Sequence, residues 1–110
     1  MIALVDMDST LCDYHGAMEE AFNKTFGLPG TEVWKYKEFQ DMIKRVPGFW
    51  RNLKLLPKGE IVVRLLQSNG FEPHILTKGP YKTIAAWSEK VEWCREHMPG
   101  IPVTITEDRS

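Results

Sequence analysis

The feature that most constrains the fold is a short apolar run, Ile2 to Val5, which two aspartates, Asp6 and Asp8, directly follow. A run of this length, rich in β-branched and aliphatic residues, is typical of a strand buried on both faces, as in a parallel sheet. In open parallel sheets, ligands bind beyond the carboxyl ends of the strands. The sequence therefore predicts an acidic loop at the ligand-binding edge of such a sheet.

The rest of the chain alternates between helical and strand patterns. The predicted elements after the first strand are a helix over 16–26, a helical stretch over 32–45, a helix over 58–68, a strand over 72–77, a helix over 81–97 and a strand over 101–105. This alternation predicts an α/β fold in which right-handed crossovers join parallel strands. We expect Thr77 and Arg109 to lie at the same edge of the sheet as Asp6.

The last predicted helix has the clearest periodicity. Its apolar residues step by three and four, which predicts a buried face. That face consists of Ile84, Trp87, Val91, Cys94 and Met98. Trp93 lies off this stripe, so we expect it to be partly exposed or to contact a partner.

Composition and charge limit the classes of function. The 110 residues, 43% of them hydrophobic, fit one domain with a single core. The 14 basic and 15 acidic residues are mixed along the chain, which argues against binding to a nucleic acid polymer or a membrane surface. Cys12 and Cys94 lack metal-ligand spacing and are interpreted as reduced thiols. The first apolar run is too short for a signal peptide or a membrane span, so we expect a cytoplasmic location.

The two aspartates suit phosphoryl chemistry. Carboxylate oxygens are preferred ligands of Mg²⁺, and a carboxylate can also attack phosphorus to form an aspartyl-phosphate. Such a step needs an acid to protonate the leaving alcohol, and Asp8 is placed for that role. A pair of this kind is common on protein surfaces, but its position directly after a buried strand favours catalysis. Thr77, taken alone, could equally cap the helix that follows it.

These residues carry a resemblance to a known superfamily. Asp6 to Leu11, DMDSTL, resembles the first motif, DxDx[TV], of the haloacid dehalogenase superfamily, while Thr77 and Arg109 resemble its second and third motifs. The segments PGFW, LLPKG, ILTKGP and KVEWCREHMPG are similar to the 5′(3′)-deoxyribonucleotidases of that superfamily. The resemblance implies a three-layer Rossmann-like parallel sheet with a small helical cap. Its core would comprise residues 1–13 and 57–110, and its cap residues 14–56.

The resemblance also implies residue roles. Asp6 would be the nucleophile and a magnesium ligand. Asp8 would be the general acid and base, and its backbone carbonyl would also bind the metal. Thr77 and Lys78 would contact the phosphate, and Arg109 would supply positive charge. The remaining implied residues are Phe49 and Trp50, which would stack on the nucleobase, with packing between cap and core as the alternative.

Three departures from the family pattern accompany this resemblance. Arg109 replaces the usual lysine, and Lys78 replaces a small hydroxyl residue. The acidic pair of the fourth motif has no counterpart before Ser110. We therefore expect a chain truncated before that motif, without the C-terminal strands. The strand Ile2 to Val5 would then form a sheet edge, which a second copy or another chain could cover.

The sequence thus predicts a magnesium-dependent phosphomonoester hydrolase that acts on a nucleoside monophosphate. The alternatives are a phosphatase for another small phosphate, such as a sugar phosphate, and a non-catalytic fragment that binds phosphate or a protein partner.

Overall fold

The structure is a computed structural model that describes residues 1–108, so the predicted phosphate-binding residue Arg109 lies outside the described residues. The elements in chain order are strand β1 (Ile2–Asp6), helix α1 (Tyr14–Phe26), a 3₁₀ helix (Gly30–Lys35), helix α2 (Lys37–Lys44), helix α3 (Pro57–Ser68), strand β2 (Glu72–Pro80), helix α4 (Ile84–His97) and strand β3 (Val103–Asp108). No helix within residues 1–108 is both long enough and apolar enough for a membrane span.

The three strands form one parallel sheet in the order β1-β2-β3. Asp6 pairs with Leu76, and Thr77 pairs with Ile105, so the carboxyl ends of the strands meet at one edge. Helices α3 and α4 both pack against β2. The predicted α/β fold with a parallel sheet is confirmed.

Strand β1 lies at one edge of the sheet that the described residues form. Two of its apolar side chains are exposed, Ile2 by 56% and Leu4 by 68%. The expected second copy or other chain over this edge stays a prediction.

The predicted helical stretch over 32–45 is instead two elements. The 3₁₀ helix ends at Lys35, the backbone of Tyr36 (φ −123°, ψ 81°) is not helical, and α2 begins at Lys37. The Gln40 side chain donates to the Val33 carbonyl oxygen at 3.0 Å, which fixes the corner between the two helices.

Strand β2 extends three residues beyond the predicted strand, from Thr77 to Pro80. Its last residues continue the ladder with β3. Gly79 permits this extension because the Trp87 ring packs directly over it: a Cβ at Gly79 would lie 2.3 Å from Trp87 Cε2. The Trp87 indole also donates to the Pro80 carbonyl oxygen at 3.1 Å.

The predicted buried face of α4 was wrong for two residues. Ile84 is 81% exposed, whereas Trp93 is completely buried and donates from its indole to the Leu53 carbonyl oxygen at 2.7 Å. The residues of α4 that are buried are Ala86, Lys90, Trp93 and Cys94. This face includes a lysine, and its charge hides the true apolar period from a pattern based on hydrophobicity.

Buried side chains form two clusters. The larger contains Met7, Leu11, Ile75 and Trp93 with their neighbours around the sheet, and Trp50 belongs to it. The smaller consists of Met18, Phe22 and Val33, in the helical segment between β1 and α3. The division into a core of residues 1–13 and 57–110 and a cap of residues 14–56 stays a prediction.

Candidate active site

The acidic loop after β1 is a compact turn. The three successive amides of residues 10–12 donate to the Met7 carbonyl oxygen at 2.9 to 3.3 Å, and Ser9 adopts a left-handed backbone conformation (φ 60°). The Asp13 amide then donates to the Lys54 carbonyl oxygen at 2.8 Å, which ties the loop to the residues before α3. Met7 is completely buried, so the core holds the residue between the two aspartates.

Asp6 and Asp8 both line an open pocket of about 890 Å³. Asp6 is exposed. The Asp8 side chain is only 33% exposed, and its Oδ1 is buried without a hydrogen-bond partner among the described residues. Burial raises the pKa of Asp8, and the charge of Asp6 adds to this, although the nearby Lys90 ammonium opposes it. Asp8 is therefore suited to hold a proton.

Lys90 is the buried charge that joins the two sides of the site. Its side chain is 1% exposed and donates to Asp8 Oδ2 at 3.3 Å, to Thr77 Oγ1 at 3.2 Å and to the Lys78 carbonyl oxygen at 2.6 Å. These three acceptors match the three N–H groups of an ammonium. Its Nζ also lies 4.2 Å from the centre of the Trp50 ring. A fully bonded cation is thus fixed between the acidic loop and the end of β2.

The structure brings the other sequence-predicted phosphate ligands to this place. Thr77 is 3% exposed and lines the pocket with its hydroxyl against Lys90. The next residue, Lys78, is exposed and also lines the pocket.

The two predicted nucleobase contacts differ in position. Trp50 lines the pocket, but it is 3% exposed and its ring stacks on Tyr14 with 5.4 Å between centres and 4° between planes. Phe49 packs edge-on against both rings and does not line the pocket of the described residues. Stacking of a base on Phe49 and Trp50 stays a prediction, with Tyr14 as a further aromatic side chain in the pocket.

Sequence reasoning missed Lys90. A signal was present, because Lys90 is a single charge on the face that Ala86, Trp93 and Cys94 define on α4. A lone charge within an apolar helical face indicates one of two things. Either the buried face has been assigned to the wrong residues, or the charged side chain is buried because it has a function.

The donor set fits one magnesium ion. No group of three or more His, Cys, Asp or Glu residues that could hold a metal is present within residues 1–108. Magnesium is commonly bound by only one or two protein carboxylates together with water and substrate phosphate. The pocket offers the exposed carboxylate of Asp6, and Asp8 lies beside it with the backbone carbonyl that the resemblance implies as the second protein ligand.

Comparisons with known proteins identify the family of the chain. The chain matches the family described as "5' nucleotidase, deoxy (Pyrimidine), cytosolic type C protein" over residues 1–107. Proteins from two strains of Staphylococcus epidermidis, each named "Putative 5'(3')-deoxyribonucleotidase", are 29% identical to it over 106 residues. These alignments cover 86% of this chain and 58% of each relative, so the chain spans somewhat more than half their length. Because the family match covers almost every residue, the chain belongs to this family of 5′-nucleotidases within the haloacid dehalogenase superfamily.

Proposed function

We propose that this chain carries the nucleophile, the proton donor and the phosphate contacts of a magnesium-dependent phosphatase for deoxynucleoside and ribonucleoside monophosphates. The observation that carries the proposal is the position of Lys90, which bonds to Asp8 and Thr77 at the pocket that Asp6 also lines. An exposed carboxylate, a carboxyl group of raised pKa, a hydroxyl and a fixed cation are the groups that phosphoryl transfer through an aspartyl-phosphate requires.

Asp6 and Asp8 divide the covalent chemistry. The exposed Asp6 carboxylate attacks phosphorus, the bond from phosphorus to the leaving oxygen breaks, and Asp8 gives its proton to that oxygen. In the second half, Asp8 takes a proton from water as the water attacks the aspartyl-phosphate, which restores Asp6. The raised pKa of Asp8 supports this role, because a general acid must be protonated when the alcohol leaves.

Thr77 and Lys90 hold the phosphoryl group. The Thr77 oxygen accepts a hydrogen bond from Lys90, so its own O–H remains to donate to a phosphate oxygen. The buried ammonium of Lys90 provides positive charge in a fixed position, which is most effective where water is excluded. Asp6 and the Asp8 backbone carbonyl would hold Mg²⁺, which would neutralise phosphoryl charge when bound.

The names of the family and of the two relatives favour a nucleotide as the substrate. The aromatic pair of Tyr14 and Trp50 in the pocket wall is compatible with a planar base. The proposal also includes the helical cap over residues 14–56, whose α2 and α1 residues contribute to the same pocket, and a cytoplasmic location.

The test is release of inorganic phosphate from a panel of deoxynucleoside monophosphates, ribonucleoside monophosphates and sugar phosphates, with and without Mg²⁺. We expect magnesium-dependent turnover that Asp6→Asn abolishes. Glu38→Gln is the matched control, because Glu38 is exposed on α2 and does not line the pocket. Equal turnover by the wild-type chain and Asp6→Asn would overturn the proposal, and turnover of sugar phosphates alone would assign a different substrate.

A further inference from the structure

The charges that line the pocket differ from those of the chain as a whole. The chain has a formal net charge of −1. The described pocket lining has three acidic side chains and six basic ones, which are Lys37, Lys44, Arg45, Lys78, Lys82 and Lys90. A phosphomonoester carries a charge of about −1.5 to −2 at pH 7. One phosphate therefore leaves positive charge in the pocket uncompensated, and bound Mg²⁺ would increase this excess.

Three of these side chains, Lys37, Lys44 and Arg45, come from α2 and its C-terminal cap residue, and we name them the cap cations. Arg45 follows Lys37 by eight residues and Lys44 by one, so a helical period places them on one face with Asp41. At about 1.5 Å per residue this face extends for about 12 Å. The cap cations belong to a different element from every residue assigned to the phosphoryl transfer.

The cap cations have no ionic partner within the described part of the chain. Other basic residues, among them Lys24, Lys35 and Arg64, form salt bridges with glutamates one helical turn away. None of the cap cations lies within 4.0 Å of a carboxylate oxygen in the described residues, although Asp41 shares their face. Their charges are therefore available to an anionic ligand.

An aromatic pair connects this face with the phosphoryl site. Lys90 Nζ lies 4.2 Å from the centre of the Trp50 ring, the Trp50 and Tyr14 centres are 5.4 Å apart, and Lys44 Nζ lies 5.9 Å from the Tyr14 centre. The Trp50 indole also donates to the Lys44 carbonyl oxygen at 3.2 Å, which fixes the end of α2 to this wall. The wall of the pocket between Lys90 and α2 is therefore aromatic.

We propose, on the basis of the phosphatase function above, that the preferred substrate class is nucleoside 3′,5′-bisphosphates and that the cap cations bind the phosphate that does not react. The reacting phosphate lies against Asp6, Thr77 and Lys90. The second phosphate supplies the negative charge that a monophosphate lacks, and the unpaired cap cations in the pocket wall bind it.

The test compares kcat/KM for deoxynucleoside 5′-monophosphates with kcat/KM for the corresponding 3′,5′-bisphosphates, at fixed Mg²⁺ and ionic strength. The wild-type chain should favour the bisphosphate. In the triple variant Lys37→Gln, Lys44→Gln, Arg45→Gln, the ratio of the two kcat/KM values should fall by at least about tenfold, because three attractive charges are lost. The matched control removes three exposed cations outside the pocket, by Lys54→Gln, Lys58→Gln and Arg95→Gln, and should keep the wild-type ratio.

A calorimetric titration of the bisphosphate into Asp6→Asn, with and without the triple substitution, separates this proposal from the phosphatase function. Turnover with an unchanged ratio in the triple variant would overturn the role of the cap cations and leave the phosphatase function standing. Without any turnover the phosphatase function fails. Loss of bisphosphate binding in the triple variant would then still support the cap-cation site, and unchanged binding would overturn it.

Discussion

Lys90 shows how a single residue can connect structure and chemistry. Burying a charge is costly unless it is paired and hydrogen-bonded, and Lys90 meets this condition with three acceptors and an aromatic ring. Two of its acceptors, Asp8 Oδ2 and Thr77 Oγ1, belong to residues that the proposed reaction uses. The same contacts that stabilise the buried ammonium thus position Asp8, the proposed acid, and Thr77, the proposed phosphate-binding hydroxyl.

Lys90→Met keeps most of the side-chain volume and removes the charge. We expect magnesium-dependent phosphate release to fall by at least about 100-fold, because a fixed group that stabilises the transition state is lost. The pKa of Asp8 should rise further, since Lys90 lowers it. Phosphate assays and a ¹³C NMR titration of the carboxyl groups would measure the two effects.

The control for this substitution is Lys58→Met, which removes a lysine that is exposed at the start of α3. A Lys90→Met variant that folds, as far-UV circular dichroism would show, and turns over at the wild-type rate would contradict the assigned role.

At the scale of elements, the orientation of α4 decides which residues enter the core. Trp93 is completely buried, so Trp93→Ala should lower the free energy of unfolding by about 3–5 kcal/mol. Ile84→Ala should change it by less than about 0.5 kcal/mol, because Ile84 is 81% exposed. Urea denaturation measures both values. A larger loss of unfolding free energy for Ile84→Ala than for Trp93→Ala would instead support the buried face of α4 that the sequence alone predicted.

The contact between α3 and the acidic loop gives a second prediction at this scale. A Cβ at Gly59 would lie 2.3 Å from the Thr10 carbonyl oxygen and 2.8 Å from Leu11 Cα, and these are backbone atoms. Gly59→Ala should therefore destabilise the chain by about 1–3 kcal/mol and displace the loop that carries Asp6 and Asp8, which would lower kcat. Gln67→Ala, on the exposed end of α3, is the control. A Gly59→Ala variant with wild-type stability and full activity would contradict this prediction, because it would show that the loop can make room for the added methyl group at little cost.

The local sequence pattern was sufficient to locate some residues of the candidate site. The positions of Asp6, Asp8 and Thr77 at one pocket could be predicted because each lies at or just after the end of a short apolar run, and parallel strands bring such positions to one edge. Lys90 was missed although it is a single charge on its apolar helical face, because tertiary contacts set both the orientation of α4 and the three acceptors that pair the ammonium. The corner at Tyr36 likewise depends on a contact between Gln40 and Val33 that no local preference specifies.

At the scale of the whole molecule, the buried thiols link stability to pH. Burial raises the pKa of Cys12 to about 12 and that of Cys94 to about 11, from an ordinary 9.0. Well below pH 9 both thiols are protonated in the folded and unfolded chain. Above it the unfolded chain loses these protons first, so the free energy of unfolding should fall by up to about 1.4 kcal/mol per pH unit for each thiol.

The difference between the wild-type chain and Cys12→Ala isolates one thiol from other titrating groups. Chemical denaturation between pH 8 and 11 should give a shallower decline for the variant. If the free energy of unfolding declined equally with pH in the wild-type chain and in Cys12→Ala, Cys12 would not keep its proton in the folded chain.

The most direct test of the central claim is to locate the phosphoryl group during turnover. The chain would be mixed with Mg²⁺ and a deoxynucleoside monophosphate, quenched in acid within the first turnover, digested and analysed by mass spectrometry. A phosphoryl group on the Asp6 side chain, absent from the Asp6→Asn protein treated in the same way, is the predicted result. Turnover with no phosphorylated Asp6 at any quench time, or with the group on another residue, would contradict the account.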